Sequence, residues 1–238
     1  MKSHALVGLF LALVGARAVD TCDVLSSHEC TDYKPPCDSN STCDHKLPAL
    51  AQRIADTPHA AQNLHTLSLA HHTLSAADAR TLASILQSTP SLATLNLTDT
   101  RLGDAGLAAL LAKPLPPSLT SLDLAHSYIT DEGAKLLFAP AAKWSLTHLD
   151  LGWNALSTRA ARAIAARLRD GGCPLEELEL RWNGLRDRGA AAIAEAFGGE
   201  TRLRALGLDG NAVHDAGAKD IAKGLRSSKT AREVRLGE

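Results

Sequence analysis

Leucines recur with one spacing along most of this 238-residue chain. The pattern Leu-x-x-Leu-x-Leu occurs six times, and its first leucines stand at positions 64, 92, 119, 146, 175 and 203. A weaker seventh copy begins at Ala231 and keeps apolar residues at Val234 and Leu236. The copies follow one another every 27 to 29 residues. A period of this length is typical of solenoids, whose units bury their apolar faces only by stacking on one another.

Each copy changes from a strand-like to a helix-like spacing. If the first leucine is position 0, apolar residues at +3 and +5 alternate with a polar residue, which predicts a short strand. A further apolar residue follows at +10, and positions +14, +18 and +22 then lie on one face of a helix. In the fifth copy these three positions are Gly189, Ile193 and Phe197. A repeated strand and helix predict a parallel sheet covered by one layer of helices.

Polar residues mark the predicted helix starts and the turn after each strand. Ser and Asp side chains accept hydrogen bonds from the first helical amides, so we expect helix caps at Ser75, Asp104, Asp131, Ser157, Asp187 and Asp215. The small residue at +14 is expected to let helix and strand approach closely. Asn at +8 would hydrogen-bond the turn, and it is present as Asn154, Asn183 and Asn211. The first three copies carry His72, Thr100 and Ser127 there, so we expect the first half to be less regular.

These recurring positions resemble the ribonuclease-inhibitor subtype of leucine-rich repeats, which occurs in that inhibitor and in nucleotide-binding immune receptors. The resemblance covers Leu64 to Leu236. It implies an α/β leucine-rich-repeat solenoid, shaped as a horseshoe with a parallel sheet on the concave side and helices on the convex side. It also implies a surface for a protein partner, whose identity the fold does not determine, because fold and function separate in such families.

The N-terminal residues have the three parts of a secretory signal. Lys2 supplies the charge, residues 5–14 are apolar, and Ala16-Arg-Ala18 is a small-x-small cleavage site. We therefore expect a signal peptide at 1–18 and a secreted, extracellular protein. The alternative is a buried N-terminal helix. The apolar run is too short to span a bilayer, and no later segment is long and apolar enough either.

Four of the five cysteines follow the predicted signal, namely Cys22, Cys30, Cys37 and Cys43. In a secreted chain such a cluster predicts a disulfide-stapled N-terminal cap, here residues 19–47, with three possible pairings. A zinc site is the alternative, although these spacings lack a close Cys-x₂-Cys pair. Residues 48–63 would form a lead-in helix and linker, and residues 64–238 the six repeats plus a partial seventh.

The fifth cysteine and two sequons add further expectations. Cys173 precedes the fifth predicted strand, and we expect its thiol to pack against the core; an intermolecular bridge is the alternative. Asn40-Ser-Thr42 and Asn96-Leu-Thr98 predict glycans on Asn40 and Asn96. A glycan on Asn96 would project over the concave face of the early repeats.

The concave face is where we expect a partner to bind. Positions +2, +4, +6 and +7 point outward there, and neighbouring strands lie about 4.8 Å apart, so residues in one column touch. The expected partner-binding residues are Asp123, His148, Asp150, Trp153, Glu177, Glu179, Arg181 and Trp182. The acids would form a patch relieved only by Arg181 and the histidines, beside two stacked tryptophans. A basic protein or peptide fits this surface, although the rings could instead pack on the turns.

The sequence contains no catalytic or cofactor motif that we recognise: no glycine-rich phosphate loop, no His-Glu-x-x-His and no Gly-x-Ser-x-Gly. Asp123, His126, His148 and Asp150 could together hold a metal, but such a cluster is common on a polar face. The net charge of −1 provides no global field for nucleic acid. We therefore expect a non-enzymatic protein without a cofactor, metal or nucleic-acid partner.

Three functions fit these patterns. A secreted protein-binding module agrees with the signal and the repeats together. An intracellular regulator or scaffold is the first alternative, because the subtype also resembles the Ran GTPase-activating protein, but the signal argues against it. A self-assembling structural protein is the second, because no capping helix follows the last predicted strand and its edge would be open to self-association.

Overall fold

The computed structural model describes residues 61–237. Its seven strands are β1 (Thr66–Ser68), β2 (Thr94–Asn96), β3 (Ser121–Asp123), β4 (His148–Asp150), β5 (Glu177–Glu179), β6 (Ala205–Gly207) and β7 (Glu233–Arg235). Its six helices are α1 (Ala76–Gln87), α2 (Gly103–Leu110), α3 (Asp131–Leu137), α4 (Thr158–Arg169), α5 (Arg186–Ala196) and α6 (Asp215–Ser227). The predictions for the signal, the four clustered cysteines and Asn40, and for residues 48–60 of the lead-in helix and linker, lie outside the described residues; of the rest of that segment, Ala61 and Gln62 are helical.

The strands form one parallel sheet in chain order, β1 to β7. Each strand pairs with the next through equivalent positions of the repeat, as Leu122 does with Leu149 and Leu149 with Leu178. Each helix connects two adjacent strands and packs against the helices of the neighbouring repeats. The predicted strand–helix solenoid is therefore confirmed.

The core is a continuous row of leucines between sheet and helices. In all six copies of the pattern the leucines at 0, +3 and +5 are no more than 8% exposed. The helix stripe joins them, since Ile193 and Phe197 are buried in the same cluster. Full burial of a leucine or phenylalanine side chain contributes about 1.5–3 kcal/mol. Because the cluster runs through every repeat, no repeat has a separate core of its own.

Asparagine side chains at +8 connect each repeat to the preceding one. The amide nitrogen of Asn154 donates to the carbonyl oxygen of Leu124, one repeat earlier, at 2.9 Å. Its side-chain oxygen accepts from the backbone N–H groups of Ser127 and Ile129, at 3.2 and 2.8 Å. Asn183 and Asn211 make the equivalent bonds to Leu151 and Leu180. These side chains thus satisfy backbone groups that the short strands leave unpaired.

Hydroxyl groups take over part of this role in the first half of the array. Ser127 Oγ donates to the Leu97 carbonyl of the preceding repeat at 2.8 Å, and Thr100 Oγ1 donates to the same oxygen at 2.8 Å. Both side chains are fully buried. Strand pairing runs in unbroken register from β1 to β4. The strands of the first half are therefore as regular as the later ones, whereas α2 and α3, at 8 and 7 residues, are shorter than the helices of 11 to 13 residues that follow.

Two of the predicted helix caps are confirmed and four are wrong. Ser75 and Ser157 accept from the first-turn amides of α1 and α4. The other four predicted residues lie inside the first turn of their own helices, which begin after Leu102, Thr130, Leu185 and His214. The four residues that do not cap their own helices are Asp104, Asp131, Asp187 and Asp215.

Three of these aspartates cap the helix of the following repeat instead. Asp104 accepts from Thr130 N–H at 2.9 Å, and Asp187 accepts from the N–H groups of His214 and Gly217 at 2.7 and 3.1 Å. All three stand at +12, from which a carboxylate reaches the orphan amides of the next helix. This contact also explains the small residue at +14: a Cβ on Gly217 would lie 2.7 Å from Asp187 Oδ1 and 2.8 Å from its own repeat's Val213.

Asp131 shows how this capping affects ionisation. Its carboxylate accepts from Ser157 N–H, Ser157 Oγ and Ala160 N–H at 2.7, 2.6 and 3.2 Å. Burial alone would raise the pKa of Asp131, but the bonds from Ser157 and Ala160, with the charge of Arg159, outweigh it and lower the pKa. The ionised form therefore stabilises the fold.

Loops around the core bury two further residues. Cys173 is 1% exposed, and burial raises the pKa of its thiol. The expected packing of Cys173 against the core is confirmed, and its burial contradicts an intermolecular bridge. Trp144 is also buried; its Nε1–H donates to the Leu137 carbonyl at 2.9 Å, and the guanidinium of Arg167 lies 5.4 Å from its ring centroid.

We predict that Asp131→Asn destabilises the protein and that Asp215→Asn does not. Both aspartates are the first residue of a helix at +12, but Asp215 has no hydrogen-bond or ion-pair partner within residues 61–237. Loss of the cap should lower the free energy of unfolding of Asp131→Asn by about 1–2 kcal/mol at pH 7, against at most about 0.5 kcal/mol for Asp215→Asn.

Urea denaturation across pH values tests the sign of this effect. Because the pKa of Asp131 is lowered in the fold, its stabilisation is complete well above the unfolded pKa of about 3.9 and disappears as the pH falls through the folded pKa. The difference between wild type and Asp131→Asn should therefore shrink below about pH 4. Equal losses for the two variants, or a difference independent of pH, would contradict the inter-repeat cap.

Candidate functional site

The exposed side of the sheet, here called the sheet face, carries the +4 residues in a single row. Strand register aligns them in the order Ser68, Asn96, Asp123, Asp150, Glu179 and Gly207. The predicted row is therefore confirmed. It places Asp123 and Asp150 directly side by side, an arrangement in which like charges repel.

Several side chains of this row also shape the ends of the strands. Oδ1 of Asp123 accepts from Ala125 N–H at 2.9 Å, and Oδ1 of Asp150 accepts from Gly152 N–H at 2.7 Å. In the second repeat, Oδ1 of Asn96 accepts from Thr98 N–H in the same way, at 2.9 Å. Such Asx turns lead the chain out of the strand. Each of these side chains thus uses one oxygen for the turn and keeps its second polar atom for other contacts.

Asp150 is the acid most affected by its surroundings. Burial raises its pKa, the Gly152 N–H lowers it, neighbouring Asp123 raises it, and Arg181 and His126 lower it; the net effect is a raised pKa. Arg181 Nη2 lies 3.2 Å from Asp150 Oδ2. Lowering the pH therefore neutralises Asp150 before a carboxyl group of ordinary pKa.

Arg235 corrects the expected charge distribution. Its guanidinium pairs with Glu179, lies 4.0 Å from Asp209 and lies 3.3 Å from Glu233. Arg235 therefore also offsets the negative charge of the acids, which the sequence analysis had assigned to Arg181 and the histidines alone. The sequence analysis missed Arg235 because the seventh copy of the pattern is weak, although Arg235 stands at +4 there and extends the row. Among the histidines, His148 lies beside one of the acids, with its Nε2 3.4 Å from Glu177 Oε1.

A row of stacked rings lies beside the acids at +7. The ring centroids of His126 and Trp153 are 4.9 Å apart at 14°, and those of Trp153 and Trp182 are 4.6 Å apart at 17°. All three residues have a left-handed backbone, with φ of 55°, 56° and 54°. Trp153 and Trp182 remain 43% and 45% exposed. The rings thus cover one another's faces and leave their edges open to a partner.

Three glycines make room for the long side chains of this surface. A Cβ on Gly152 would lie 2.8 Å from Arg181 Cγ, and one on Gly207 would lie 2.8 Å from Glu179 Cδ. Gly207 therefore lets Glu179 cross β6 to reach Arg235 on β7. Gly210 likewise leaves room for the Trp182 ring, since a Cβ there would lie 2.5 Å from Cδ2 of Trp182. The sequence analysis did not assign any role to these glycines.

The eight predicted partner-binding residues fall into two groups. Asp150, Arg181, Trp153 and Trp182 form one contiguous surface, with Asp123 beside Asp150 and Glu179 beyond it. The other two, His148 and Glu177, pair with each other at +2, at the start of the three-residue strands that end at Asp150 and Glu179. The indole N–H groups of Trp153 and Trp182 have no hydrogen-bond partner within the described residues.

Neither a metal-binding cluster nor a membrane-spanning helix is found in residues 61–237. No three His, Cys, Asp or Glu side chains among residues 61–237 converge so as to hold a metal ion. No helix in the same range is long and apolar enough to cross a membrane.

Comparison with known proteins identifies the repeats. A family model described as "Leucine Rich repeat" matches four segments, residues 90–111, 116–138, 145–165 and 173–194. Each segment covers a strand, the turn after it and much of the following helix of the second to fifth repeats. No curated protein matches the chain significantly. With four matched repeats inside one uninterrupted array of strands and helices, residues 61–237 have the α/β fold of a leucine-rich-repeat solenoid.

Proposed function

We propose that this protein is a secreted, non-enzymatic binding module that holds a basic protein or peptide on its sheet face, between β3 and β7. The row of exposed rings beside Asp123 and Asp150 is the observation that carries the proposal. Leucine-rich repeats are themselves typical of protein-binding modules. Aromatic edges next to charged groups are the composition of binding hot spots.

The backbone at +7 argues that the tryptophans serve more than the turn. This position is left-handed in all six repeats, namely at His71, Asp99, His126, Trp153, Trp182 and Gly210. A left-handed conformation costs about 1–2 kcal/mol for a residue with a side chain, and glycine adopts it freely. Gly210 makes the same turn without a ring. Trp153 and Trp182 are therefore costly choices for the turn alone, which favours a role in contact with a partner.

The charge of the sheet face favours a basic partner. Its positions +2, +4, +6 and +7 carry seven acids and two arginines in the described repeats. The acids are Asp99, Asp123, Asp150, Glu177, Glu179, Asp209 and Glu233. After Arg181 pairs with Asp150 and Arg235 with Glu179, Asp123 keeps no ion-pair partner among the described residues. A partner's Arg or Lys fits beside Asp123 while an apolar group covers the ring edges.

We further infer the ribonuclease-inhibitor-like subtype and an extracellular location. Repeats of 27 to 29 residues support the subtype, as does a regular helix of 7 to 13 residues in each of the six complete repeats. The three-part signal at 1–18 supports secretion. The Asx turn at Asn96 uses only its side-chain oxygen, and no hydrogen bond occupies its Nδ2 within residues 61–237. A glycan on that nitrogen is therefore compatible with the fold.

A ring-deletion variant tests the binding surface. The expected result for Trp153→Ala/Trp182→Ala is a loss of about 2 kcal/mol or more of binding free energy, mainly as faster dissociation. Its unfolding free energy should fall by no more than about 1.5 kcal/mol, the range for an aromatic pair. Tyr128→Ala is the matched control, because Tyr128 is 62% exposed and also left-handed but lies outside the ring row.

The partner for this measurement is first recovered by cross-linked pull-down from the extracellular fluid of the native source, and its dissociation is then followed by surface plasmon resonance. Unchanged binding by the double variant would contradict the proposed site. Collapse of the thermal melt would instead show that the rings are packing residues.

Mass spectrometry of the secreted protein tests its processing. We predict a mature N-terminus at Val19, two disulfides among Cys22, Cys30, Cys37 and Cys43, and glycans on Asn40 and Asn96. Thr98→Ala is the control for Asn96: it destroys that sequon but keeps the Asx turn, which uses the Thr98 backbone N–H. An intact Met1 with four free thiols would overturn the extracellular proposal, and a bare Asn96 would overturn its glycan.

A further inference from the structure

A groove runs along the helices on the side of the protein opposite the sheet face. It lies between α4 and α5 and has a volume of about 430 Å³. Its walls are Arg162, Arg169, Arg188 and Glu195, and its floor is Ala165, Ala191 and Ala192. We propose that this groove is a second docking site, which binds a short acidic peptide segment of a partner protein.

Unpaired cations at one end of the groove are the first reason. Arg162 on α4 and Arg188 on α5 have no ion-pair partner within residues 61–237, and both are exposed. At the other end Arg169 Nη1 pairs with Glu195 Oε2 at 3.6 Å. Two guanidinium groups facing one groove repel each other until an anion lies between them. Carboxylates suit this position because a guanidinium can bind them through two parallel hydrogen bonds.

The helix packing explains why the groove is open. A Cβ on Gly189 would lie only 3.3 Å from the Cβ of Ala161, so the two helices approach closely at their first turns. Beyond that point alanines face the gap, and their methyl groups do not fill it. The arginine stems rise on either side, so the result is an apolar floor between charged walls. A bound segment can therefore bury an apolar side chain on the alanines.

The same geometry limits the length and character of the occupant. Arg162 and Arg169 are seven residues apart on one helix, which corresponds to about 10 Å at a rise of 1.5 Å per residue. An extended peptide of about three residues spans that distance. Acidic side chains would lie between Arg162 and Arg188, and a small apolar side chain would follow over the alanines.

Glu195 favours an acidic peptide over a continuous polyanion. A sulfated polysaccharide would carry negative charge along the whole groove and would meet the Glu195 carboxylate. A peptide with acids at one end only avoids that contact. The sheet face is acidic, so the two surfaces would recruit partners of opposite charge, and each can be tested without the other.

Fluorescence anisotropy with a labelled peptide tests the proposal on the full secreted protein. The probe is acetyl-Gly-Glu-Glu-Val-Ala-Gly-amide, and the uncharged control peptide carries Gln in place of both Glu. The wild type should bind the Glu peptide, and Arg162→Gln/Arg188→Gln should weaken binding by about tenfold or more, since two charge-assisted contacts are lost. Ala191→Phe, which fills the floor and leaves the charge unchanged, should weaken it as well.

A charge-matched control separates the groove from the general charge of the helices. Arg202→Gln/Arg226→Gln removes two exposed arginines that do not line the groove, and it should change the affinity by less than about twofold. All these substitutions are at exposed or partly exposed positions, so thermal melting checks that each variant is folded. Trp153→Ala/Trp182→Ala should bind the peptide like the wild type, so failure of the sheet-face proposal and failure of this one are distinguishable.

Three results would overturn the proposal. The first is absence of binding by the Glu peptide, or equal binding of the Gln peptide. The second is an equal loss in the two double-arginine variants. The third is a heparin-derived hexasaccharide that binds more tightly than the Glu peptide and depends on the same arginines, because the surface would then be a polyanion site.

Discussion

The fold depends on hydrogen bonds that each repeat makes to the backbone of the repeat before it. After each three-residue strand, backbone bonds to the next repeat continue into the turn, as from Trp153 N–H to the Arg181 carbonyl at 2.8 Å, but some backbone groups of the turn still need side-chain partners. The +8 side chain supplies them: Asn154 bonds to Leu124, Ser127 and Ile129, all one repeat earlier. The +12 aspartates act in the other direction, from Asp131 to the helix that begins at Thr158. Since the leucine core is also shared, a repeat gains its structure only from its neighbours.

This coupling sets the positions of the functional side chains. Fixed register places each +4 and +7 residue directly against its equivalent in the next repeat, and thereby stacks Trp153 on Trp182 and sets Asp150 beside Asp123. Glycines at the same positions let Glu179 and Trp182 lean over the sixth repeat. The sheet face is thus a nearly continuous surface of side chains, acidic and aromatic, whereas the helices of the fourth and fifth repeats present arginines.

The features that follow from the repeat spacing could be predicted from the sequence, but the contacts that side chains make between repeats could not. Leucine spacing was sufficient for the strands, the helices, their order and the +4 and +7 rows, because a buried leucine and its alternating neighbours have one possible orientation in a solenoid. The leucine spacing did not predict that Asp131 caps the helix of the following repeat, because a carboxylate at the start of one helix can reach the first amides of its own helix or those of the next. The Glu179–Arg235 pair spans 56 residues and requires Gly207 between them, a relation that appears only once the strands are aligned. The sequence also did not predict that the Ser127 hydroxyl would donate to the carbonyl of the preceding repeat, as the asparagine amides do at the same position of later repeats.

Urea denaturation of Asn154 variants tests the inter-repeat coupling most directly. Asn154→Ala leaves the backbone groups of Leu124, Ser127 and Ile129 without their partner, and we predict a loss of about 2–4 kcal/mol in the free energy of unfolding. Asn154→Ser should lose less, because the hydroxyl can reach the carbonyl of the preceding repeat as Ser127 does. Lys223→Ala on the exposed side of α6 should stay within about 0.5 kcal/mol of the wild type. An Asn154→Ala variant as stable as Lys223→Ala would contradict the account.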